Sequence, residues 1–357
     1  MDGRYGPPTS QVGSGSGDNP LFVNAPARGS DAAPKPSREP VVDPPEQGGR
    51  VARVLGIAAL VMLLLVVLFG AALYLSIERL SSNITRVPDV FGALDGAERP
   101  SPLGNRVSFL VMGTDSRQAT VQRSDDVLML ARVDVDLDPA DTRASVVSIP
   151  RDSWVDIPEQ GPNTIRSAYG YGGPTLLVRT VEQLTKARLD HFAIIDFAGF
   201  QDMVNAIGGI ELGNNHLDGR SALDYVTAGS HATAAYADRL ARQQNALRAL
   251  LEKAASSGLF ADPIDFFRLL DAMSHSVSVD ETLSNGKLQE LGLQMRELRP
   301  ARVQFLVCPT VGVGPENGQF VVHLDESRSA ELWDALRADT VGEYARRNPN
   351  LVAAPPR

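Results

Sequence analysis

An uncharged run of 24 residues, Val54 to Ile77 (VLGIAALVMLLLVVLFGAALYLSI), constrains this chain more than any other stretch. At ~1.5 Å per residue, a helix of that length spans the ~30 Å hydrocarbon core of a bilayer with some tilt. The run begins too far from the N-terminus, and is too long, for a cleaved signal peptide. Arg50 and Arg53 precede it, whereas Glu78 and Arg79 follow and cancel, so the positive-inside rule puts the N-terminus in the cytoplasm. The expectation is one signal-anchor helix over 54–77 in the cell membrane, with the remaining 280 residues on the extracytoplasmic side.

The stretches on either side differ in kind. Residues 1–49 hold eight Gly and nine Pro and only two aromatics, Tyr5 and Phe22. Such a segment cannot bury enough apolar surface to offset its ordering entropy, which predicts a disordered cytoplasmic tail. Residues 78–105 read as a stalk, 106–337 as one folded domain, and 338–357, rich in Arg, Pro and Ala, as a second disordered tail.

Inside the domain, three apolar runs lie close together: Val107–Met112, Val127–Val133 and Ser145–Ile149. Each reads as a buried strand of one sheet. Polar residues cluster at their ends: Asp115 and Arg117 after the first, Arg123, Asp125 and Asp126 before the second, Arg151 and Asp152 after the third. One antiparallel return separates the first strand from the third, so Asp115, Arg123, Asp125 and Arg151 can gather along one sheet edge. Two carboxylates suit a hard cation and two guanidiniums suit phosphate oxygens, which together describe a metal–pyrophosphate site.

Further along, Pro174–Ala187 has helical spacing with Pro near its start, and HFAIIDF reads as a buried strand. AGFQDMVNAIGG reads as a helix closed by a glycine pair, Gly219–Val226 as another helix. Asp238–Lys253 is a helix with a Leu240, Leu247, Leu251 stripe; Arg239 and Gln243, four apart, share a face with Arg242 beside them. Phe192, Phe197, Phe200 and Met203 supply apolar surface for a core. Alternating strands and helices predict an α/β domain with a central mixed sheet.

Composition removes other classes. The net charge of −9 argues against a nucleic-acid surface. The single cysteine, Cys308, excludes an intrachain disulfide, and its apolar VQFLVCP setting predicts a buried, inert thiol. Five scattered histidines lack zinc spacing, and His191 and His231 read as structural or surface residues.

Taken in order, GTDSR, RSDD, SIPRDSWV, AYGYGGP, HFAIIDFAGFQDMVNAIGGIEL and DRLARQQ resemble the LytR-CpsA-Psr (LCP) family of cell-envelope proteins. The resemblance runs from Val107 to Lys253 and more weakly to Pro309. It implies an α/β/α LCP-type domain that transfers a glycopolymer from a polyprenyl pyrophosphate carrier to peptidoglycan with Mg²⁺ as cofactor. By position, Asp115 and Asp125 match the family's Mg²⁺-linked acids. Arg123 and Arg151 match its catalytic, pyrophosphate-gripping arginines, and Arg239 and Gln243 its further pyrophosphate contacts.

Four positions depart from that pattern. Thr164 replaces a lysine, Thr227 and Gly229 replace paired arginines, and Tyr236 replaces an acid. Arg166, two residues after Thr164, is the cation nearest the first gap. Two readings follow: an active Mg²⁺-dependent phosphotransferase, or a catalytically impaired relative that binds lipid pyrophosphate or a partner in envelope assembly.

Overall fold

The computed structural model describes residues 83–94, 99–102, 104, 106–114, 127–134, 142–228, 233–256, 271–272, 274–295 and 298–352. The first half of the chain's elements are β1 (Thr85–Val87), β2 (Arg106–Thr114), β3 (Val127–Asp134), β4 (Arg143–Ser148), β5 (Trp154–Ile157), β6 (Gly161–Thr164) and α1 (Ile165–Thr185). Then come β7 (His191–Asp196), α2 (Phe197–Ala206), β8 (Ile210–Leu212), β9 (Asn215–Leu217), α3 (Gly219–Thr227) and α4 (Thr233–Ser256). The last are β10 (Val277–Asp280), α5 (Asn285–Met295), β11 (Val303–Val307), β12 (Thr310–Glu316), β13 (Gln319–Leu324), α6 (Glu326–Ala338) and α7 (Val341–Arg347).

Seven strands form the central sheet in the order β1-β10-β7-β2-β3-β4-β11. β2, β3 and β4 pair antiparallel, while β7 joins β2, and β11 joins β4, in parallel. The sheet is therefore mixed, as expected. Its strands are apolar on both faces because helices cover both. Leu110, Leu130, Val147 and Leu306 pack with Leu177 and Val181 of α1, Leu332 and Leu336 of α6, and Tyr344 of α7. Met129, Val146 and Phe305 face the other way, toward Leu247 and Leu251 of α4. Each such aliphatic side chain, fully buried, contributes ~1.5–3 kcal/mol.

Helix α1 is two segments joined at a kink. Gly172 and Gly173 leave helical geometry there, and Gly173, at φ 62°, occupies the left-handed region that favours glycine. Pro174 then starts the second segment, where a missing N–H costs nothing. Phe192 and Phe197 are core residues, as is Met203, with Phe200 packed against a smaller cluster. Cys308 follows β11, buried beside Ser329, and burial pushes its thiol up to about 12.

Two boundaries read from composition need correction. Part of the expected stalk belongs to the domain: Val90, Phe91 and Leu94 are in the core. Arg99 stacks over Phe91 and forms a bidentate pair with buried Glu182 of α1. Three apolar residues within five positions have no period to read, yet they suffice to dock the segment. The expected C-terminal tail also folds in part. Val341, Tyr344 and Ala345, at i, i+3 and i+4, bury one face of α7, and Leu351 follows them into the core. Its arginines lie on the opposite side and masked that stripe.

Among the described residues, no helix is long and apolar enough to cross a membrane. The run Val54–Ile77, the tail 1–49 and residues 353–357 lie outside the described residues.

Candidate functional site

Strand β4 ends at Ser148, and the chain turns sharply after Pro150. Ser153 N–H donates to the Pro150 carbonyl at 3.0 Å. The turn is held from two sides: Ile165 and Arg166 N–H donate to the Ser153 and Arg151 carbonyls, and Val322 N–H of β13 donates to the Asp152 carbonyl at 2.8 Å. Arg151 is thus fixed at the finishing end of β4 by the start of α1 and by the β12–β13 hairpin.

The Arg151 side chain is 7% exposed, and its Nε and Nη1 have no hydrogen-bond partner in the described residues. Its Nε lies 3.5 Å from Asp152 Oδ2, while Arg166 Nε approaches Asp152 Oδ1 at 3.1 Å. A buried guanidinium left with open N–H groups is costly unless an acceptor arrives. The acceptor it fits is an anion with more than one oxygen.

Helix α4 brings the second wall. Gln244, fully buried, donates to Ser148 Oγ at 2.9 Å and to the Leu306 carbonyl, clamping α4 across the ends of β4 and β11. Arg239 and Gln243, which precede Gln244 on the same helix, are both buried. Arg239 lies over the Tyr236 ring at 5.4 Å. Burial pushes the Tyr236 phenol far above its ordinary value of 10.0; Asp152 adds to the rise, and Arg239 and Arg151 oppose it. Tyr236 is therefore a neutral hydrogen-bond donor beside Arg239, Arg151 and Asp152.

Beside this cradle opens a cavity of about 360 Å³ lined by Arg151, Arg166, Ser167, Tyr169, Met112 and Leu177, among others. Met112, Val127, Leu128 and Leu177 give the lining apolar surface, and Arg151 and Arg166 give it charge. A ligand with a charged head and an apolar tail suits such a division.

Of the residues assigned from sequence, Arg151 and Arg239 both act on the Tyr236 phenol, and Gln243 is buried on α4 four residues after Arg239. Asp115, Arg123 and Asp125 lie outside the described residues, as do Gly229 and His231. The described donor set around the cradle is guanidinium, phenol and one engaged carboxylate, which fits an anion. Among the described residues no group of three or more His, Cys, Asp or Glu is placed to hold a metal. Arg242 is structural: it donates to the Tyr225 and Ala228 carbonyls and ties α3 to α4.

The departures also resolve locally. Thr164 is buried and its hydroxyl bonds Ser167 at 2.7 Å, so it presents no charge. Arg166 reaches the cavity instead. Thr227 caps its own helix through the Leu223 carbonyl. Sequence reasoning passed over Asp152, Tyr169 and the active placement of Tyr236. Asp152 carried a signal, since it adjoins Arg151; what it lacked was any sign that α1 would carry Arg166 to it.

The sequence profile of the LytR_cpsA_psr family matches residues 94–215 and 210–338. The chain belongs to the LytR-CpsA-Psr family. It is 31% identical over 221 residues to a probable cell wall biosynthesis protein, LcpB, of Corynebacterium glutamicum, covering 53% of this chain and 52% of that one. It is 28% identical over 260 residues to the polyisoprenyl-teichoic acid–peptidoglycan teichoic acid transferase TagU of Enterococcus faecalis, covering 66% and 80%. The chain spans about half the length of the Corynebacterium relative, 52%. In fold it is similar to Bacillus subtilis TagV, with a TM-score of 0.53 at 22% identity, covering 67% of this chain and 98% of that one. It is also similar to TagT bound to LI-WTA, with a TM-score of 0.52 at 24% identity, covering 68% and 94%.

Proposed function

We propose that this protein is a membrane-anchored, extracytoplasmic phosphotransferase that moves a glycopolymer from a polyprenyl pyrophosphate carrier to peptidoglycan. The observation that carries the reading is the buried Arg151 guanidinium, with two nitrogens lacking a hydrogen-bond partner in the described residues, in a cavity that Met112, Val127, Leu128 and Leu177 also line. The cell-wall roles in the names of the relatives agree with it.

In this reading the pyrophosphate accepts hydrogen bonds from Arg151, Arg239 and Gln243, with Arg123 completing the grip. Arg166 adds the cation that Thr164 does not. These groups offset charge that builds on the transferring phosphoryl as an acceptor sugar hydroxyl attacks phosphorus and the lipid phosphate leaves. Asp115 and Asp125 would hold Mg²⁺, which supplies further neutralisation of the pyrophosphate when bound. The prenyl chain runs into the apolar part of the cavity.

A second reading, a relative that binds the lipid pyrophosphate without turning it over, draws on one observation. Tyr236, a neutral phenol, stands where the family pattern has an acid. One experiment separates the two. The full chain in vesicles is given a polyprenyl pyrophosphate with and without Mg²⁺, and retention and phosphate release are both followed. Mg²⁺-dependent release, lost in Asp125→Ala and Arg151→Ala, is the expected result. Retention weakened by Arg151→Ala but without release establishes the binding reading, and neither retention nor release in folded protein removes both.

A further inference from the structure

A second cleft, of about 660 Å³, opens between the end of α1, the β5–β6 hairpin and α6. Trp154 of β5 and Trp333 of α6, the two tryptophans of the chain, both line it. Around them stand polar side chains of both signs, Asp156 and Glu326 with Lys186 and Arg337. Asp156 accepts from Gln183 Nε2 at 3.0 Å. The Glu326 and Lys186 side chains are exposed and make no hydrogen bond or ion pair among the described residues. Trp333 is 3% exposed, and its indole N–H meets no acceptor among the described residues.

Such a lining does not select an ion, since two carboxylates are set against two cations. Nor does it select a lipid chain, since charged groups ring it. It suits a neutral polyhydroxyl ligand. The faces of a sugar ring carry C–H groups, which pack against the negative face of an indole, while the hydroxyls at its edge bond carboxylates, amides and ammonium groups. We propose that this cleft binds the glycan strand of the acceptor, an N-acetylhexosamine polymer. The assignment rests on the transfer reading above and gives that reaction its second substrate site.

Position favours the acceptor over the sugars of the donor. The donor's sugars are bonded to the pyrophosphate and start at Arg151, whereas the cleft shares no lining residue with the Arg151 cavity. Helix α1 lines both, through Leu177 in one and Gln183 in the other, and a rise of ~1.5 Å per residue sets these about 9 Å apart along its axis. Trp154 follows the Arg151 turn directly, and Cα steps of ~3.8 Å keep the two residues within about 11 Å. Val322 N–H, bonded to the Asp152 carbonyl, ties the strand that carries His323 of the cleft to the same turn. A transferase must hold donor and acceptor at once in a fixed relation, and two cavities on either side of one braced turn meet that need.

The test reads the two tryptophans, because every indole of the chain lines this cleft. The full chain in vesicles is titrated with a β-1,4-linked tetramer of N-acetylglucosamine while indole emission is followed. A saturable change is expected, and a mannose tetramer, which lacks N-acetyl groups, does not reproduce it. Equilibrium dialysis then compares variants without relying on the reporter. Trp154→Ala is expected to weaken tetramer binding at least about tenfold, and Glu326→Gln, on the exposed rim, at least about threefold. No saturable binding to the folded chain, or equal binding by the wild type and both variants, overturns the cleft. Preference for the mannose tetramer overturns the acceptor assignment and gives the cleft to the donor's polymer. Retention of a polyprenyl pyrophosphate, followed on the same preparation, keeps the two failures apart. Retention without tetramer binding overturns the cleft alone, and tetramer binding without retention overturns the transfer reading alone.

Discussion

Two arginine clusters finish opposite ends of the same sheet, about 20 Å apart along β4, and only one is balanced by carboxylates in the described residues. At the starting end of β4, Arg132, 1% exposed, makes bonds of 2.9 and 2.8 Å to Asp134, with Asp339 at 3.4 Å. Arg106 joins both acids at 3.5 Å. Two cations meet two anions there. At the finishing end, Arg151 and Arg166 share one carboxylate, Asp152, among the described residues. Both clusters hold a buried guanidinium with an open nitrogen, one on Arg132 and two on Arg151. The difference is how much of the charge is already answered by the fold. A matched cluster stabilises the fold; an under-matched one keeps its capacity for a ligand.

Substitution should separate the two ends, and the largest effect belongs to the matched one. Arg132→Ala removes the two closest bonds to part-buried Asp134, leaves it only the longer contact with Arg106, and is expected to cost ~1.5–3 kcal/mol, read from urea unfolding. Arg151→Met should behave in the opposite way. Stability changes by less than about 1 kcal/mol, because an apolar chain replaces a poorly answered charge. Retention of a polyprenyl pyrophosphate falls about 100-fold, since the bidentate partner of a buried anion is lost. Equal destabilisation by the two substitutions would erase the distinction between the ends.

How legible were these two ends? The three central strands were readable because both of their faces are buried, which leaves uninterrupted apolar runs. Arg239 and Gln243 were readable as one helical face from their spacing of four. The balance of charge was not. Asp134 and Asp339 are 205 positions apart, and no local pattern predicts that α6 would end with Asp339 in reach of Arg132. In the same way Asp152, Arg166 and Tyr236 come from a turn and two helices, and the clamp that sets α4, through Gln244 to Ser148 and Leu306, is made of contacts far apart in sequence. The β12–β13 hairpin carried no signal as a site edge, because what makes it one is the Val322 N–H bond to the Asp152 carbonyl, between residues far apart in sequence. Propensity reports on elements; the match of charges between them is decided only by packing.

A third acid shows the matched condition in pure form and gives the comparison a pH dependence. Asp280, fully buried, accepts from His191 at 3.1 Å, from Phe192 N–H at 3.0 Å and from Thr282, pinning β10 to β7. Burial alone would raise it, yet those hydrogen bonds hold it below its ordinary value of 3.8. A carboxyl lowered in the fold adds stability that is complete above 3.8 and is lost as pH falls through the lowered folded value. Asp280→Asn should therefore cost ~1.5–3 kcal/mol at pH 7 and much less near pH 2, with urea unfolding at both values as the check. A constant difference across that range would mean that charge on Asp280 contributes nothing.

The smallest expected effect tests whether the under-matched end depends on neutral donors as well as on cations. The Tyr236 phenol stays protonated because burial outweighs Arg239 and Arg151, so it can donate to an anion at any physiological pH. Tyr236→Phe removes one neutral hydrogen bond and keeps the ring beneath Arg239. A loss of ~0.5–1.5 kcal/mol in binding follows, about two- to thirteenfold in retention of the pyrophosphate, with no change in its pH dependence between 6 and 8. Unchanged retention would place Tyr236 as packing for Arg239 and leave anion binding to the guanidiniums and Gln243. A loss as large as that of Arg151→Met would instead show that the phenol, more than the excess of cations, distinguishes this end of the sheet from the other.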